Sequence, residues 1–502
     1  MRLYAAAALA ALPLCACAEP APPSRPASPP RVAATAAPAP PAPARSAPAA
    51  PDAGGASAAP ELRIYSKVRF LWIRPEPGSE AWIGYLSLGD SVRVAGSGPA
   101  ASKIGTSPES RCRAWYAVEP RGYVCTGADA TTDPDDPVVT ELRRTAADAE
   151  SPWPYRYGES LGTPVYQSIP GEAEQRRAEW DLEAHLERVR AAADAQGPTG
   201  LPPPALPVLD PRARTRQIRI ALGSTLAFTR EFDHGGRSWL LTWDRAVVPR
   251  DRVRPYPRSS FRGVMLGNEH RLPLAFFRQR PRPQYRRAAD GSFATTGASW
   301  PAKGWEGLTG EEIVAGERRF LATAQAGLYC DAADATVARQ AERVPEQVRA
   351  RREGRRTWLD VSIEGGWLVA YEDAKPVFAT LVSPGRGGMP ERGVPAIETA
   401  STPVGEYSIN GKFLTATMVS STVQTLVHAE VQYTQNFTGP HALHGAYWHD
   451  DWGEKKSGGC VNLSPIDAKW LFAWTEPALP PGWHAVRGTH NFGTPTLVSL
   501  HR

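Results

Sequence analysis

Residues His441–Trp474 read HALHGAYWHDDWGEKKSGGCVNLSPIDAKWLFAW. HALHGAYW reads as a strand, which sets His441 and His444 on opposite faces. SGGC joins a serine, two glycines without Cβ atoms and a cysteine, a segment able to turn tightly and aim backbone N–H groups at an oxygen. Ser464 at N-cap, Pro465 at N1 and Asp467 in the first turn then start a helix. A strand, a glycine turn and a helix in this order define the domain that carries them.

A cysteine nucleophile needs a base for its proton, donors for a developing oxyanion and backbone that lets a carbonyl approach. His444 is the candidate base. It lies sixteen residues before Cys460, enough for a strand to run out, a loop to turn and the chain to return. The helix beginning at Ser464 adds a positive field near the thiolate. Two other readings stand beside this one. A glycine-flanked cysteine is compatible with a small apolar residue in a turn. His441, His444, His449 and Cys460 have ligand chemistry for zinc, but opposite strand faces for the first two argue against a shared ion, and no metal or organic cofactor is expected.

Around this stretch the last 145 residues alternate like strands at hairpin spacing: TWLDVSI, GWLVAYED, KPVFATLVSPG, GEYSINGKF, TLVHAEVQYTQNF. The fold class expected is mainly β and multidomain, since 502 residues exceed one ordinary domain. Upstream, Met1-Arg2 and LYAAAALAALPL form an export signal, and LCAC places Cys17 where a bacterial lipoprotein is cleaved and lipidated, while ACA also fits an ordinary cut. The expected location is the cell envelope, as a periplasm-facing lipoprotein anchored in the membrane through Cys17, or else as a soluble periplasmic or secreted protein. Residues 18–60 are a Pro/Ala-rich tether without apolar periodicity.

Residues 61–127 alternate in short runs broken by Gly and Pro, the pattern of a small β-barrel resembling bacterial SH3-like domains. Within it CRAWYAVEPRGYVC is a hairpin able to bring Cys112 and Cys125 together in an oxidising compartment. Cys330 reads as buried and inert. A connector covers 128–215, with one helix over 172–195 made partly amphipathic by Trp180, Leu182, Leu186 and Val189. Residues 216–356 form a mixed, β-rich region of unassigned role, within which 217–255 has the look of a second barrel. The 57 basic and 52 acidic residues are interspersed, giving +5 without a basic arm, so nucleic acid is not an expected partner.

TPVGEYSINGK (Thr402–Lys412), the His-Gly pair at 444–445 and SGGCVNLSP (Ser457–Pro465) together resemble the L,D-transpeptidase (YkuD-type) catalytic domain family, as does WLDVSIEGGWLVAYEDAKPVFATLVSPG (Trp358–Gly385). The resemblance covers residues 357–502 and implies a β-sandwich with a short helix after the cysteine. It also implies that Cys460 attacks a peptidoglycan tetrapeptide stem, forms a thioester and passes it to an amine. On that resemblance His444 is the base, the Gly445 carbonyl orients it, Gly459 and Cys460 N–H groups bind the oxyanion, and Ser457 matches the motif's hydroxyl residue. Asn462, His449 and Tyr433 are then substrate contacts. The family usually has histidine where this chain has Gly458, which bears on the acceptor more than on the chemistry. Two alternatives have different end points: an L,D-carboxypeptidase that passes the acyl group to water, and a non-catalytic wall-binding lipoprotein.

Overall fold

The computed structural model describes residues 61–102, 112–193, 218–419, 426–488 and 492–502. The export segment and the tether lie outside them.

The protein is mainly β and multidomain, and its C-terminal domain is a sandwich of two sheets. One has six strands, in the order Val264–Met265, Lys375–Leu381, Trp367–Glu372, Thr357–Ser362, Leu497–His501 and Gly405–Ser408. The other has seven: Leu71–Ile73, Gly84–Leu86, Ala485–Arg487, Gly411–Val419, Val427–Thr438, His441–Gly445 and Val461–Leu463. Leu359, Val361 and Leu368 of the first bury against Leu414, Leu443 and Val461 of the second, with Leu471 and Phe472 of the helix Pro465–Trp474 in the same core. Each such side chain contributes roughly 1.5–3 kcal/mol.

That helix is fastened at both ends. Ser464 Oγ accepts the Asp467 amide at 3.1 Å, a cap that contributes about 1 kcal/mol. The Asp467 carboxylate in turn accepts from Gly263 N (2.9 Å) and Thr380 Oγ1 (2.6 Å). At the far end the fully buried Lys412 ammonium donates to the carbonyls of Phe472 and Thr475, placing a cation where the helix dipole is negative. The lysine of the INGK segment is thus a C-terminal clamp.

Three five-stranded antiparallel units, referred to below as barrels, precede or flank the sandwich, and all have one strand order: fourth, third, second, first, fifth. In the first, residues 63–131, Arg63–Ser66 lies between Ser91–Arg93 and Ala130–Thr131, and a bridge from Val94 to Val118 brings in Cys112–Ala117 and Tyr123–Gly127. Cys112 and Cys125 are disulfide-bonded across those last two strands. The second, residues 156–255, runs Val247–Pro249, Arg237–Thr242, Thr225–His234, Arg156–Ser160, Val253–Pro255. The third, residues 274–338, runs Tyr329–Asp331, Arg318–Thr323, Trp305–Ala315, Leu274–Phe276, Thr336–Ala338. In the last two a single 3-10 turn precedes the fifth strand, at Arg250–Arg252 and Ala332–Asp334. The region without an assigned role therefore contains most of two barrels.

In every barrel the connection from first to second strand carries an insertion. In the first it is the hairpin Leu71–Ile73/Gly84–Leu86, which joins the sandwich: Tyr85 pairs with Ala485. This barrel is an extension of the seven-stranded sheet rather than a bead on a string. In the second it includes two helices, Glu172–Ala178 and Leu182–Ala193, where the sequence reads as one. The break has an electrostatic cause. Glu179 is drawn into a buried cluster with Arg237 (2.8 Å) and Arg252 (2.9 Å), which takes it out of the helical path and leaves Trp180 91% exposed. In the third barrel it is the hairpin Arg282–Arg287/Phe293–Trp300.

Candidate active site

The strands His441–Gly445 and Val461–Leu463 are parallel neighbours, with Leu443 opposite Val461, His444 opposite Asn462 and Gly445 opposite Leu463. Leu443, Val461 and Leu463 face the inner core. The alternation of a strand therefore sends Ala442, His444, Cys460 and Asn462 to the outer face together. By that register Cys460 falls opposite Ala442 and diagonal to His444, one strand across and two residues along. Both side chains are buried, at 0% and 1% exposure, so the sulfur does not lie in an open groove. The Cys460 Sγ lies 3.8 Å from the Pro440 carbonyl oxygen. It is disulfide-bonded in this structure. Cys330 is not its partner: it is a free thiol buried in the third barrel, and burial pushes its pKa up to about 12.

His444 is set up to accept a proton. Its Nδ1 lies 3.1 Å from the Gly445 carbonyl, which only accepts, so Nδ1 carries the hydrogen. Nε2 then bears the lone pair, and it has no hydrogen-bond partner among the described residues. Burial holds the ring's pKa down to about 4, against the opposing pull of the Gly445 carbonyl. His444 is neutral at pH 7. Beside it, Trp448 stacks on His428 at 4.3 Å and stands 5.7 Å from His444, centroid to centroid. His428, not anticipated from the sequence, is also held to about 4 by burial and by His444. Nothing in the run TLVHAEV marks it, because its proximity comes from a neighbouring strand.

Ser457 knots the glycine turn. Its hydroxyl donates to the Cys460 carbonyl at 2.5 Å and accepts the Gly459 amide at 3.1 Å. That amide is the one expected to bind an oxyanion; in this structure, with Cys460 disulfide-bonded, it is engaged inside the turn. Glycine is nonetheless required at 459. Its φ is +132°, and a Cβ there would lie 2.8 Å from the Ser401 carbonyl oxygen and 2.9 Å from the His441 ring. His441 packs against this turn on the side away from His444.

Asn462 is fully buried, and its side-chain amide is 3.1 Å from His449 Nε2. The His449 ring lies against Trp452 at 4.7 Å, and burial takes its pKa to about 3. Both residues thus belong to the neighbourhood of His444. Tyr433 does not. It sits in the inner core against Phe472, its hydroxyl donating to the carbonyls of Ala149 (3.2 Å) and Ser151 (2.5 Å), away from the outer face expected of a substrate contact. The helix after Ser464 packs its apolar side chains into that same inner core.

The second and third barrels hold the loop between His444 and Cys460. Tyr447 stacks on Tyr157 of the second barrel at 3.8 Å and its hydroxyl bonds to Thr225 (2.6 Å) and the Ala429 carbonyl (2.7 Å). On the other side Arg278 of the third barrel pairs with Glu454 at 3.2 Å, and Lys303 with Asp450.

Residues 356–490 match the YkuD family, described as the L,D-transpeptidase catalytic domain. Solved structures that resemble the chain include an Enterococcus faecium L,D-transpeptidase mutant, 23% identical over 28% of this chain and 49% of that one, with a TM-score of 0.21. Others are L,D-transpeptidase 3 from Mycobacterium tuberculosis, 16% identical over 44% of this chain and 79% of that one, TM-score 0.23, and an L,D-transpeptidase from Mycobacterium smegmatis, 16% identical over 44% and 78%, TM-score 0.22. The chain spans about half the length of the Enterococcus faecium protein. No curated protein matches it.

Proposed function

We propose that this protein is a peptidoglycan L,D-transpeptidase, a cysteine acyltransferase that cross-links or remodels the cell wall. The observation that supports it most is the pairing of a neutral imidazole, its Nε2 without a partner among the described residues, with a cysteine on the same face of adjacent strands.

In this reading His444 Nε2 takes the proton of the reduced Cys460 thiol as sulfur attacks the carbonyl of the third stem residue. The C–S bond forms, the tetrahedral oxyanion collapses, and the C–N bond to the terminal D-alanine breaks, with the imidazolium returning the proton to the leaving amine. An amine from a second stem then attacks the thioester. His444 takes its proton and gives it to the departing thiolate, restoring the enzyme. The Gly445 carbonyl holds the ring in the required tautomer throughout, and Asn462 with His449 orients the outer wall of the site. No step calls on a metal or organic cofactor.

The three barrels are read as SH3-like modules. Residues 1–17 are read as a lipoprotein signal that anchors the chain in the envelope through Cys17. A palmitate analogue that labels the wild type but not Cys17→Ser supports the anchor; equal labelling overturns it.

The enzymatic reading is tested with purified residues 61–502, under reductant so that Cys460 is a thiol. Intact mass after exposure to a carbapenem should rise by one adduct, lost in Cys460→Ala and slowed about 100-fold or more in His444→Ala. Incubation with tetrapeptide muropeptides should yield 3–3 dimers. Tripeptides without dimers indicate transfer to water, and no adduct with no product removes the reading.

A further inference from the structure

Between the second barrel and the sandwich lies a cleft of about 450 Å³. Tyr157 and Tyr447, stacked on each other, line it together with Trp153, Tyr155 and Tyr256. Tyr447 comes three residues after His444, and the buried cluster that contains Tyr155, Tyr157 and Tyr447 also contains Ala442 and Cys460. The cleft therefore backs onto the candidate active site.

Its charges are unusual for this barrel. Arg237, Arg252 and Arg254 each meet a carboxylate within the barrel or its inserted helices, and Arg250 of the cleft is engaged by Glu231 at 3.4 Å. Arg156 and Arg258 also line the cleft and are exposed, and among the described residues neither is paired with a carboxylate. Arg258 lies over the Trp153 ring at 5.2 Å. Aromatic faces offer stacking surfaces for ring-bearing ligands, while a planar guanidinium fork matches a carboxylate.

We infer that this cleft binds the anionic glycopeptide strand on which the proposed reaction acts, a pyranose ring stacking on Trp153 or Tyr256 and stem carboxylates pairing with Arg156 and Arg258. The inference rests on the proposed function and names a subsite for its substrate outside the catalytic domain. The second barrel would then select an acidic stem and hold its strand beside Cys460.

The test uses the full chain carrying Cys460→Ala, so that binding is read without turnover. Calorimetry with a disaccharide-tetrapeptide is compared with the free tetrapeptide and with neutral chitotetraose. Adding Arg156→Ala and Arg258→Ala should weaken glycopeptide binding about tenfold or more, and Trp153→Ala should weaken it by a factor of about three to ten. The control pair Arg286→Ala/Arg287→Ala, exposed arginines of the third barrel, should change it less than about twofold. Chitotetraose should bind more weakly and ignore the arginine pair. Urea midpoints of the Arg156/Arg258 variant and its parent should coincide, since both side chains are exposed. Unchanged glycopeptide affinity in both cleft variants overturns the inference, as does a loss of affinity that tracks a loss of folded protein. Absence of a carbapenem adduct on the wild-type chain overturns the proposed chemistry instead, and leaves this binding measurement to be read separately.

Discussion

The second and third barrels share a strand order and a 3-10 turn, yet they grip the same loop by different physics. The second meets it with a buried aromatic stack and two hydroxyl bonds at Tyr447, and stiffens itself with a buried ion cluster around Arg237. The third meets it with Arg278 and Lys303, partly exposed cations on Glu454 and Asp450. One side of the loop between base and nucleophile is therefore held by desolvated contacts and the other by screened ones. Salt and surface mutation should act on the third barrel's grip and leave the second barrel's intact.

The largest difference is expected at Arg237, whose guanidinium meets Glu179 and Asp251 at 4% side-chain exposure. Arg237→Ala leaves two buried carboxylates without their main partner and should lower unfolding free energy by about 3–5 kcal/mol, measured by urea denaturation. A loss under 1 kcal/mol would mean that the cluster is not desolvated. Next comes Tyr447→Phe, which strips a hydroxyl from the buried Thr225 and Ala429 partners and should cost about 1–3 kcal/mol. Because Tyr447 is three residues from His444, carbapenem acylation should slow with it.

A pH series separates the site from the joint with the first barrel. Burial depresses His428, His444 and His449, so the stability they favour is full above the unfolded pKa near 6.5 and is lost as pH falls towards 4. His484 has the opposite sign. Burial opposes its charge, but the Asp90 carboxylate at 3.1 Å outweighs that and raises its pKa, so its contribution is full below about 6.5 and is lost as pH rises through the raised value. Urea midpoints of His428→Gln should fall less steeply with acid than the wild type, and those of His484→Gln more steeply. Parallel curves for all three would refute these protonation states. The smallest effect is expected for Arg278→Ala. Its ion pair is worth under about 1 kcal/mol and should vanish in about 1 M salt, whereas the Tyr447 effect persists.

How far the sequence could be read depended on whether the signal was local. Ser464, Pro465 and Asp467 lie within four residues of each other and announced their helix, and the His444–Gly445 pair and the SGGC turn were visible as chemistry before their placement was known. Tyr433 reads as one more aromatic on a strand near the site. Its side chain faces the inner core because the strand Val427–Thr438 has positive φ at Glu430 and Tyr433, an irregularity that propensity does not encode. His428 and Trp448 came to His444 through pairings between strands, and neither sits in a motif. The helix over 172–195 looked continuous because Arg237 and Arg252, which break it at Glu179, are more than fifty residues away.

The chain's order of residues was by itself enough to settle a β-rich C-terminal domain, the alternation that turns His444 from His441, a tight glycine turn before Cys460 and the helix that follows. These depend on backbone sterics and neighbours in sequence. Tertiary structure alone decided that the first barrel lends two strands to the catalytic sheet, that Ser457 takes the Gly459 amide, and that two further barrels close on the loop between base and sulfur. Those outcomes rest on contacts between residues up to about 400 positions apart, such as Asp90 with His484, where only the folded chain's register and burial determine which groups meet.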